Sequence, residues 1–172
     1  MNIKPLPKDY VGLIKKYDSL SNGEQASIRR EVEADDLRTN PVFYRLIQDT
    51  VFATNSISQA ARLVYFLPFV HHKEGAKSFG ALLYKLFEAK KIKDRRLFLV
   101  IRSEYPQDLI QLRRLLQQLL QLKPNATIDY TVFGDMLFHW GKTKEKSESS
   151  KRRLMQDFYL SAPPQTQDIK ED

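Results

Sequence analysis

Apolar residues recur along the chain at steps of three and four positions, and no segment alternates with a sustained period of two. Steps of three and four place side chains on one face of an α-helix, whereas a period of two is typical of a half-buried strand. The clearest case follows Pro106, where Leu109, Leu112, Leu116 and Leu119 are spaced 3, 4 and 3. The sequence therefore predicts an all-α protein of about eight to nine helices.

Helix-capping residues mark where several of these helices begin. Ser21 and Glu24 have the spacing of a capping box, in which each side chain satisfies a backbone N–H near the other residue. Asn40 followed by Pro41 combines a favoured N-cap with proline at the first helical position. Thr127 is predicted to cap a later helix. We therefore expect helices to start close to residues 22, 41 and 128.

The C-terminal part contains a long polar run, GKTKEKSESS, at residues 141–150. This run has no apolar residue and is expected to be mobile, with a final helix from about Ser150 to Leu160. We predict two small helical-bundle halves, residues 1–90 and 91–162, of which the second is more basic. The remaining segment, PPQTQDIKED, lacks an apolar stripe, so residues 163–172 are predicted to be a disordered tail.

Charge is distributed unevenly along the 172 residues. The chain has 28 Lys and Arg against 21 Asp and Glu, a net charge of +7. Residues 1–40 balance seven basic against seven acidic side chains, whereas residues 85–153 contain sixteen basic and eight acidic ones. A partner responds to the local field rather than to the total charge. The C-terminal half is therefore predicted to face a polyanion.

Several classes of protein are excluded by composition. The chain has no Cys, which excludes disulfide scaffolds, thiolate metal sites and cysteine nucleophiles. The longest uninterrupted apolar stretch, residues 63–70, is eight residues, against the roughly 20 that a membrane-spanning helix needs. The first residues, MNIKPLPKDY, do not resemble a secretory signal. We expect a cytoplasmic protein that does not contact a membrane.

Candidate catalytic groups are few. His71, His72 and His139 do not have metal-ligand spacing, and the string GAKS at 75–78 lacks the glycine that a phosphate-binding loop places before its lysine. Acidic residues gather near the end of the second predicted helix and could hold Mg²⁺ in a nuclease; they are Glu31, Glu33, Asp35 and Asp36. A solvated acidic edge, or a docking face for a basic neighbour, is the favoured interpretation. No catalytic residue, metal site, cofactor or small-molecule substrate is predicted.

The helix after Pro106 also carries a polar stripe opposite its leucines. Its members are spaced 4, 3, 4 and 3 and are Gln107, Gln111, Arg114, Gln118 and Gln121. Arg113 flanks the stripe, and both arginines are expected near the surface. Guanidinium and amide groups on one rigid face can hydrogen-bond successive phosphates without reading bases, although a solvated helix face would show the same pattern. Basic residues that precede and follow this helix favour the phosphate interpretation.

The order of several short segments resembles a known family, the CasB family of small subunits in the type I-E CRISPR Cascade effector complex. The resemblance spans residues 28–158. The segments that carry it are Ile28–Arg30, Asp36–Arg38, Pro41–Leu46, Arg95–Phe98, Ile101–Arg102, Gln111–Leu116, Met136–Leu137, Trp140–Lys142 and Gln156–Phe158. This sequence departs from the family in a longer polar insert after Gly141.

The resemblance implies a non-catalytic, all-α subunit that occurs as a pair in the complex. Its implied partners are the guide-RNA-bearing backbone and large subunits, a second copy of itself, the target DNA and the displaced strand. Carried over by position, it nominates as nucleic-acid-binding residues Arg29, Arg30, Arg38, Arg45, Arg95, Arg96, Arg102, Arg113, Arg114 and Lys142. The local charge adds Lys90, Lys91, Arg152 and Arg153. Which of them touch nucleic acid and which brace helices stays open, as do two rival functions: a nuclease, and a protein scaffold without nucleic-acid contact.

Overall fold

The structure is a computed structural model that describes residues 8–162. These residues form ten α-helices and two 3-10 segments, Ala34–Thr39 and Leu67–Phe69. The α-helices are α1 (Tyr10–Asp18), α2 (Asn22–Arg29), α3 (Pro41–Ile47), α4 (Phe52–Asn55), α5 (Ile57–Phe66), α6 (Phe79–Lys90), α7 (Arg95–Arg102), α8 (Gln107–Leu122), α9 (Tyr130–His139) and α10 (Lys144–Tyr159). Nine of the ten have seven residues or more, and no strand occurs in the described range. The all-α prediction is confirmed.

Two of the predicted helix starts are confirmed by their hydrogen bonds. At α2 the Glu24 backbone N–H donates to Ser21 Oγ over 3.3 Å, and the Ser21 N–H donates to the Glu24 carboxylate over 2.9 Å. At α3 the Val42 N–H donates to Asn40 Oδ1 over 3.0 Å. Both caps satisfy backbone donors that have no partner within their own helix.

The predicted cap of α9 is wrong, because Asp129 takes the position expected for Thr127. One Asp129 oxygen accepts from the Thr131 N–H over 3.0 Å, and the other accepts from the Gly75 N–H over 2.9 Å. These backbone donors, Gly75 foremost, hold the pKa of Asp129 below its usual value. The same carboxylate therefore starts α9 and fixes the loop that precedes α6.

The polar run 141–150 is helical from residue 144 onward, so the expectation of a mobile linker is wrong. The Lys146 N–H donates to Thr143 Oγ1 over 3.1 Å, which caps α10. Ser150 is buried, and its hydroxyl donates to the Met136 carbonyl over 3.1 Å. Leu154 and Phe158 anchor the same helix in the core. Lysine, glutamate and serine tolerate a helical surface, and here the apolar anchor lies further along the helix.

Helix α5 lies at the centre, with every residue from Ala60 to Phe66 buried. Helix α9 packs against α5 and α1, while α6 packs against α8 and α10, and α7 lies along α8. The buried side chains form one cluster that includes residues from before and after residue 90.

The division into halves at residue 90 stays a prediction, and the predicted tail 163–172 lies outside the described residues. Within 8–162, no helix is long and apolar enough to cross a membrane.

A buried polar junction joins the central helices. Asp108 is 3 % exposed, and its Oδ2 accepts from Trp140 Nε1 over 2.9 Å and lies 3.5 Å from Lys151 Nζ. Arg62, also buried, donates to the Trp140 carbonyl and stacks on Tyr105 with its guanidinium carbon 4.5 Å from the ring centre. The junction therefore holds the start of α8 against α5, α10 and the end of α9.

Gly141 completes this junction because a side chain would not fit there. Its φ of 91° lies in the region that glycine adopts readily, and a Cβ at this position would overlap the Arg62 guanidinium. The position of the Arg62 side chain therefore requires glycine at 141.

We expect the Asp108→Ala variant to lose about 3–5 kcal/mol of unfolding free energy, because Lys151 and Trp140 Nε1 are left without their shared acceptor. Chemical denaturation monitored by circular dichroism measures this change. The matched control is Glu88→Ala, which removes an exposed carboxylate from α6 and should stay within about 0.5 kcal/mol. Equal stability of the two variants would contradict the role given to Asp108.

Candidate nucleic-acid interface

Helix α8 has the two faces expected from its sequence. Leu109, Leu112, Leu116 and Leu119 are buried, as their spacing predicted. The opposite side carries the polar stripe, with Arg114 exposed. At 1.5 Å per residue, this 16-residue helix is about 24 Å long. It therefore presents amide and guanidinium groups along a rigid surface.

A groove runs between α7, α8 and the end of α6. One part, with a volume of about 260 Å³, is lined by Arg96, Leu99, Gln111, Arg114, Leu115 and Gln118. The adjoining part, of about 230 Å³, is lined by Leu86, Lys90, Ile92, Arg96, Gln118 and Gln121. The two parts adjoin at Arg96 and Gln118, which line both, and we name them together the α7–α8 groove.

The lining of the α7–α8 groove is cationic. It contains Lys90, Arg96 and Arg114, and it contains no carboxylate. Among residues 8–162 none of these three cations forms an ion pair. Arg96 Nη1 donates to Gln118 Oε1 over 3.1 Å, so an amide that carries no charge orients the guanidinium. This arrangement leaves positive charge available to an anion, and Leu99, 54 % exposed, provides an apolar wall beside it.

Arg113 lies on a different face of α8 from Arg114 and is half-buried, so of the two arginines expected near the surface only Arg114 is fully exposed. Its guanidinium donates to the carbonyls of Glu31 over 2.8 Å and Arg29 over 3.0 Å. It also stacks 4.2 Å from the ring centre of Tyr65. Successive residues on a helix point about 100° apart, and here one turns inward while Arg114 stays outside. Burial lowers the pKa of Arg113, which nevertheless remains a cation at neutral pH. Arg113 therefore fastens the end of α2 to α8.

The basic candidates of the N-terminal half, Arg29, Arg30, Arg38 and Arg45, are exposed and do not line the groove. Arg45 forms an ion pair with Glu24. The Ser21 N–H, followed by Arg45, holds the pKa of Glu24 below its usual value. Arg30 Nε donates to the Ala26 carbonyl over 3.2 Å. At least two of these side chains thus have partners within the protein.

The remaining candidates are exposed side chains outside the groove lining, namely Lys91, Arg95, Arg102, Lys142, Arg152 and Arg153. Arg102 lies over the Phe98 ring, with its guanidinium carbon 5.5 Å from the ring centre, and Lys142 Nζ lies 5.3 Å from the Phe138 ring centre. Arg152 pairs with Glu148 over 3.7 Å. The structure therefore places Lys90, Arg96 and Arg114 in the lining of the groove, and the other candidates do not line it.

The acidic residues near α2 make local contacts. Asp36 Oδ2 accepts from the Glu33 N–H over 2.9 Å at the start of a 3-10 segment, and Glu31 Oε1 accepts from Asn40 Nδ2 over 3.2 Å. Within residues 8–162 no group of three or more His, Cys, Asp or Glu side chains is arranged to hold a metal ion. Of the four carboxylates considered for a nuclease, Asp36 thus caps a local backbone N–H and Glu31 accepts from the Asn40 side chain.

Sequence reasoning missed the buried Arg62. One signal could have revealed it, because an arginine inside the otherwise apolar run 60–67 must be buried with a partner. The position of that partner, the Trp140 carbonyl 78 residues away, has no signature in the sequence.

The chain belongs to a class of CRISPR-associated proteins. The family described as CRISPR-associated protein Cse2 matches residues 24–159, and the chain is a member of that family. It is 32% identical over 161 residues to the "CRISPR system Cascade subunit CasB" of Escherichia coli (strain K12), covering 89% of this chain and 94% of that protein. It also matches a chain in the crystal structure of E. coli Cascade bound to a PAM-containing dsDNA target, with a TM-score of 0.73 and 31% identity over 89% of this chain and 95% of that one.

We expect neighbouring arginines of α8 to respond differently to substitution. Arg113→Ala should lower the unfolding free energy by about 2–4 kcal/mol, because two backbone carbonyls and two aromatic rings lose their cation. Arg114→Ala is the matched control and should change it by less than about 0.5 kcal/mol. Urea denaturation of both variants measures the difference. Equal stabilities would show that Arg113 does not brace α2.

Proposed function

We propose that this chain is the non-catalytic small subunit of a type I-E Cascade complex, an RNA-guided DNA surveillance complex of antiviral defence in the cytoplasm. Its task is to hold nucleic-acid backbone without reading sequence and so to stabilise the R-loop, which comprises the target-strand heteroduplex and the displaced strand. The observation that carries this proposal is the α7–α8 groove, whose lining contains no carboxylate and three cations that form no ion pair within residues 8–162. The membership of the Cse2 family and the likeness to a Cascade chain support it.

The chemistry of the groove suits a phosphate backbone. A guanidinium donates two parallel hydrogen bonds to one phosphate, and Arg96 of α7 and Arg114 of α8 offer two such groups in the groove. The glutamine amides between them donate to phosphate or sugar oxygens. Lys90 adds a cation at the end near α6. These groups can therefore contact several successive phosphates of one strand.

A small binding free energy from a few phosphate contacts is sufficient for this function. In RNA-guided recognition the guide pairs with the target strand, and the protein contacts backbone and helical geometry. The RNA–DNA heteroduplex that forms is about as stable as the DNA duplex that is lost, so a few phosphate contacts shift the balance. The proposed partners are the guide-RNA-bearing backbone and large subunits, a second copy of this chain, the target DNA and the displaced strand. The proposal needs neither cofactor nor chemical step.

We expect the double variant Arg96→Gln/Arg114→Gln to weaken DNA retention by the assembled complex and to reduce the slope of log affinity against log salt by about 1.4, since about 0.7 is lost per single-strand phosphate contact. A salt titration of labelled target binding measures this slope. The matched control, Lys15→Gln/Lys144→Gln, removes two exposed cations outside the groove and should leave the slope as in the wild type.

The same experiment separates the proposal from the scaffold alternative. A scaffold would dock acidic protein surfaces, so its arginine variants would lower the amount of subunit incorporated into the complex. Full incorporation with unchanged DNA retention and slope would contradict backbone binding.

The isolated protein should bind unrelated DNA sequences with similar affinity, because the groove has no arranged route to base edges. Non-specific binders of this kind have dissociation constants of about 10⁻⁴–10⁻⁶ M at physiological salt. Competition among oligonucleotides that differ only in sequence is the measurement. A preference of about 30-fold, equivalent to about 2 kcal/mol, would reveal a base-reading site and refute this expectation.

A further inference from the structure

The last described residues of the chain end beside a cavity on α6. Helix α10 packs along α6, and the Ser161 N–H extends the last turn of α10 by donating to the Phe158 carbonyl over 3.3 Å. Ser161 itself lines the cavity, which has a volume of about 440 Å³. The other lining residues come from one face of α6 and the residues just before it, and they are Lys77, Ala81, Tyr84, Lys85 and Glu88. We name this space the α6 cavity.

The α6 cavity contains positive charge that the described part of the protein does not pair. Lys77 and Lys85 are exposed, and neither forms an ion pair with a side chain of residues 8–162. The proximity of Lys85 lowers the pKa of Lys77, as expected where two ammonium groups lie close together. Glu88 is the carboxylate among the lining residues, and the two lysines outnumber it. The α6 cavity therefore favours a negatively charged occupant.

The chain supplies negative charge directly after the residue that lines the α6 cavity. Residues 163–172, PPQTQDIKED, follow Ala162 and lie outside the described residues. The segment contains one basic residue, Lys170, against three carboxylates, which belong to Asp168, Glu171 and Asp172. Its net charge is opposite to that of the α6 cavity.

The segment is also long enough to reach both lysines. A chain spans at most about 3.3–3.6 Å per residue, so the Asp168 Cα can lie up to about 20 Å from that of Ala162. The lining of α6 from Ala81 to Glu88 covers about 10 Å along the helix axis. Because Ser161 already borders the α6 cavity, carboxylates six to ten residues beyond Ala162 can extend over its whole length.

We propose that residues 163–172 bind in the α6 cavity of their own chain and pair their carboxylates with Lys77 and Lys85. A tethered segment has an effective concentration in the millimolar range, so individually weak charge pairs form within one chain. Charge pairing of this kind does not require the apolar stripe that the segment lacks. The contact withdraws two exposed lysines from other anions and leaves the cations of the α7–α8 groove available. The contact itself does not depend on the proposed function, because it needs no nucleic acid.

The reactivity of the lysines provides the test. Only a deprotonated amine is acylated, and a carboxylate beside a lysine keeps its amine protonated. The neutralised variant is Asp168→Asn/Glu171→Gln/Asp172→Asn, which keeps the full length of the chain. Wild type and variant are treated with an acetyl N-hydroxysuccinimide ester at about pH 8, and mass spectrometry of peptides gives the acylation rate at each lysine. Thr166→Ala is the matched control, since it changes the segment without changing its charge.

We expect Lys77 and Lys85 to be acylated about two- to fivefold faster in the neutralised variant, as follows from the loss of an exposed ion pair. Lys15 and Lys144 are exposed and lie outside the α6 cavity, so their rates should not change. The Thr166→Ala control should retain wild-type rates at every lysine. At about 1 M salt, where the Debye length is about 3 Å, the difference between the neutralised variant and wild type should disappear.

Three outcomes would overturn the proposal. Equal acylation of Lys77 and Lys85 in wild type and the neutralised variant would show that the carboxylates do not reach them. A difference that persists at about 1 M salt would assign the protection to steric cover and not to charge pairing. Protection that increases with protein concentration would place the segment on a second copy of the chain. Since none of these measurements contains nucleic acid, their failure is distinguishable from a failure of the proposed function.

Discussion

The placement of α8 depends on one buried carboxylate, that of Asp108. It accepts from Trp140 Nε1 and lies beside Lys151, so the start of α8 is held against the end of α9 and the middle of α10. A buried carboxylate is costly unless it is paired and hydrogen-bonded, and removing its partners would leave an uncompensated charge. The cationic groove is lined in part by other residues of the same helix. The rigidity of the proposed binding surface therefore derives from a polar contact inside the core.

Adjacent arginines on α8 divide structural and surface roles between them. Arg113 gives its hydrogen bonds to the carbonyls of Arg29 and Glu31, whereas Arg114 opens onto the groove. Neighbouring residues on a helix point about 100° apart, so Arg113 and Arg114 face different surroundings. The number of basic residues in a sequence segment can therefore exceed the number of cations that a ligand can contact. The cations that line the α7–α8 groove are Lys90, Arg96 and Arg114, which belong to three different helices.

Much of the candidate site follows from local patterns. The leucine spacing predicted the buried face of α8, and the alternating glutamines and Arg114 predicted its polar face. The excess of basic residues over 85–153 also identified the half of the chain that contains the groove. The pairing of Arg96 with Gln118 could not be predicted, because it depends on how α7 lies against α8.

The sequence by itself determined which segments become helices and which face of each is apolar, because both depend on residues within three or four positions of one another. The capping box at Ser21 and the proline after Asn40 are of this kind. Only the tertiary structure decided that Arg62 and Arg113 turn inward and that the polar run before Ser150 joins α10. Those outcomes depend on carbonyls and apolar surfaces contributed by distant segments, and helical periodicity contains no information about which distant segment will supply them.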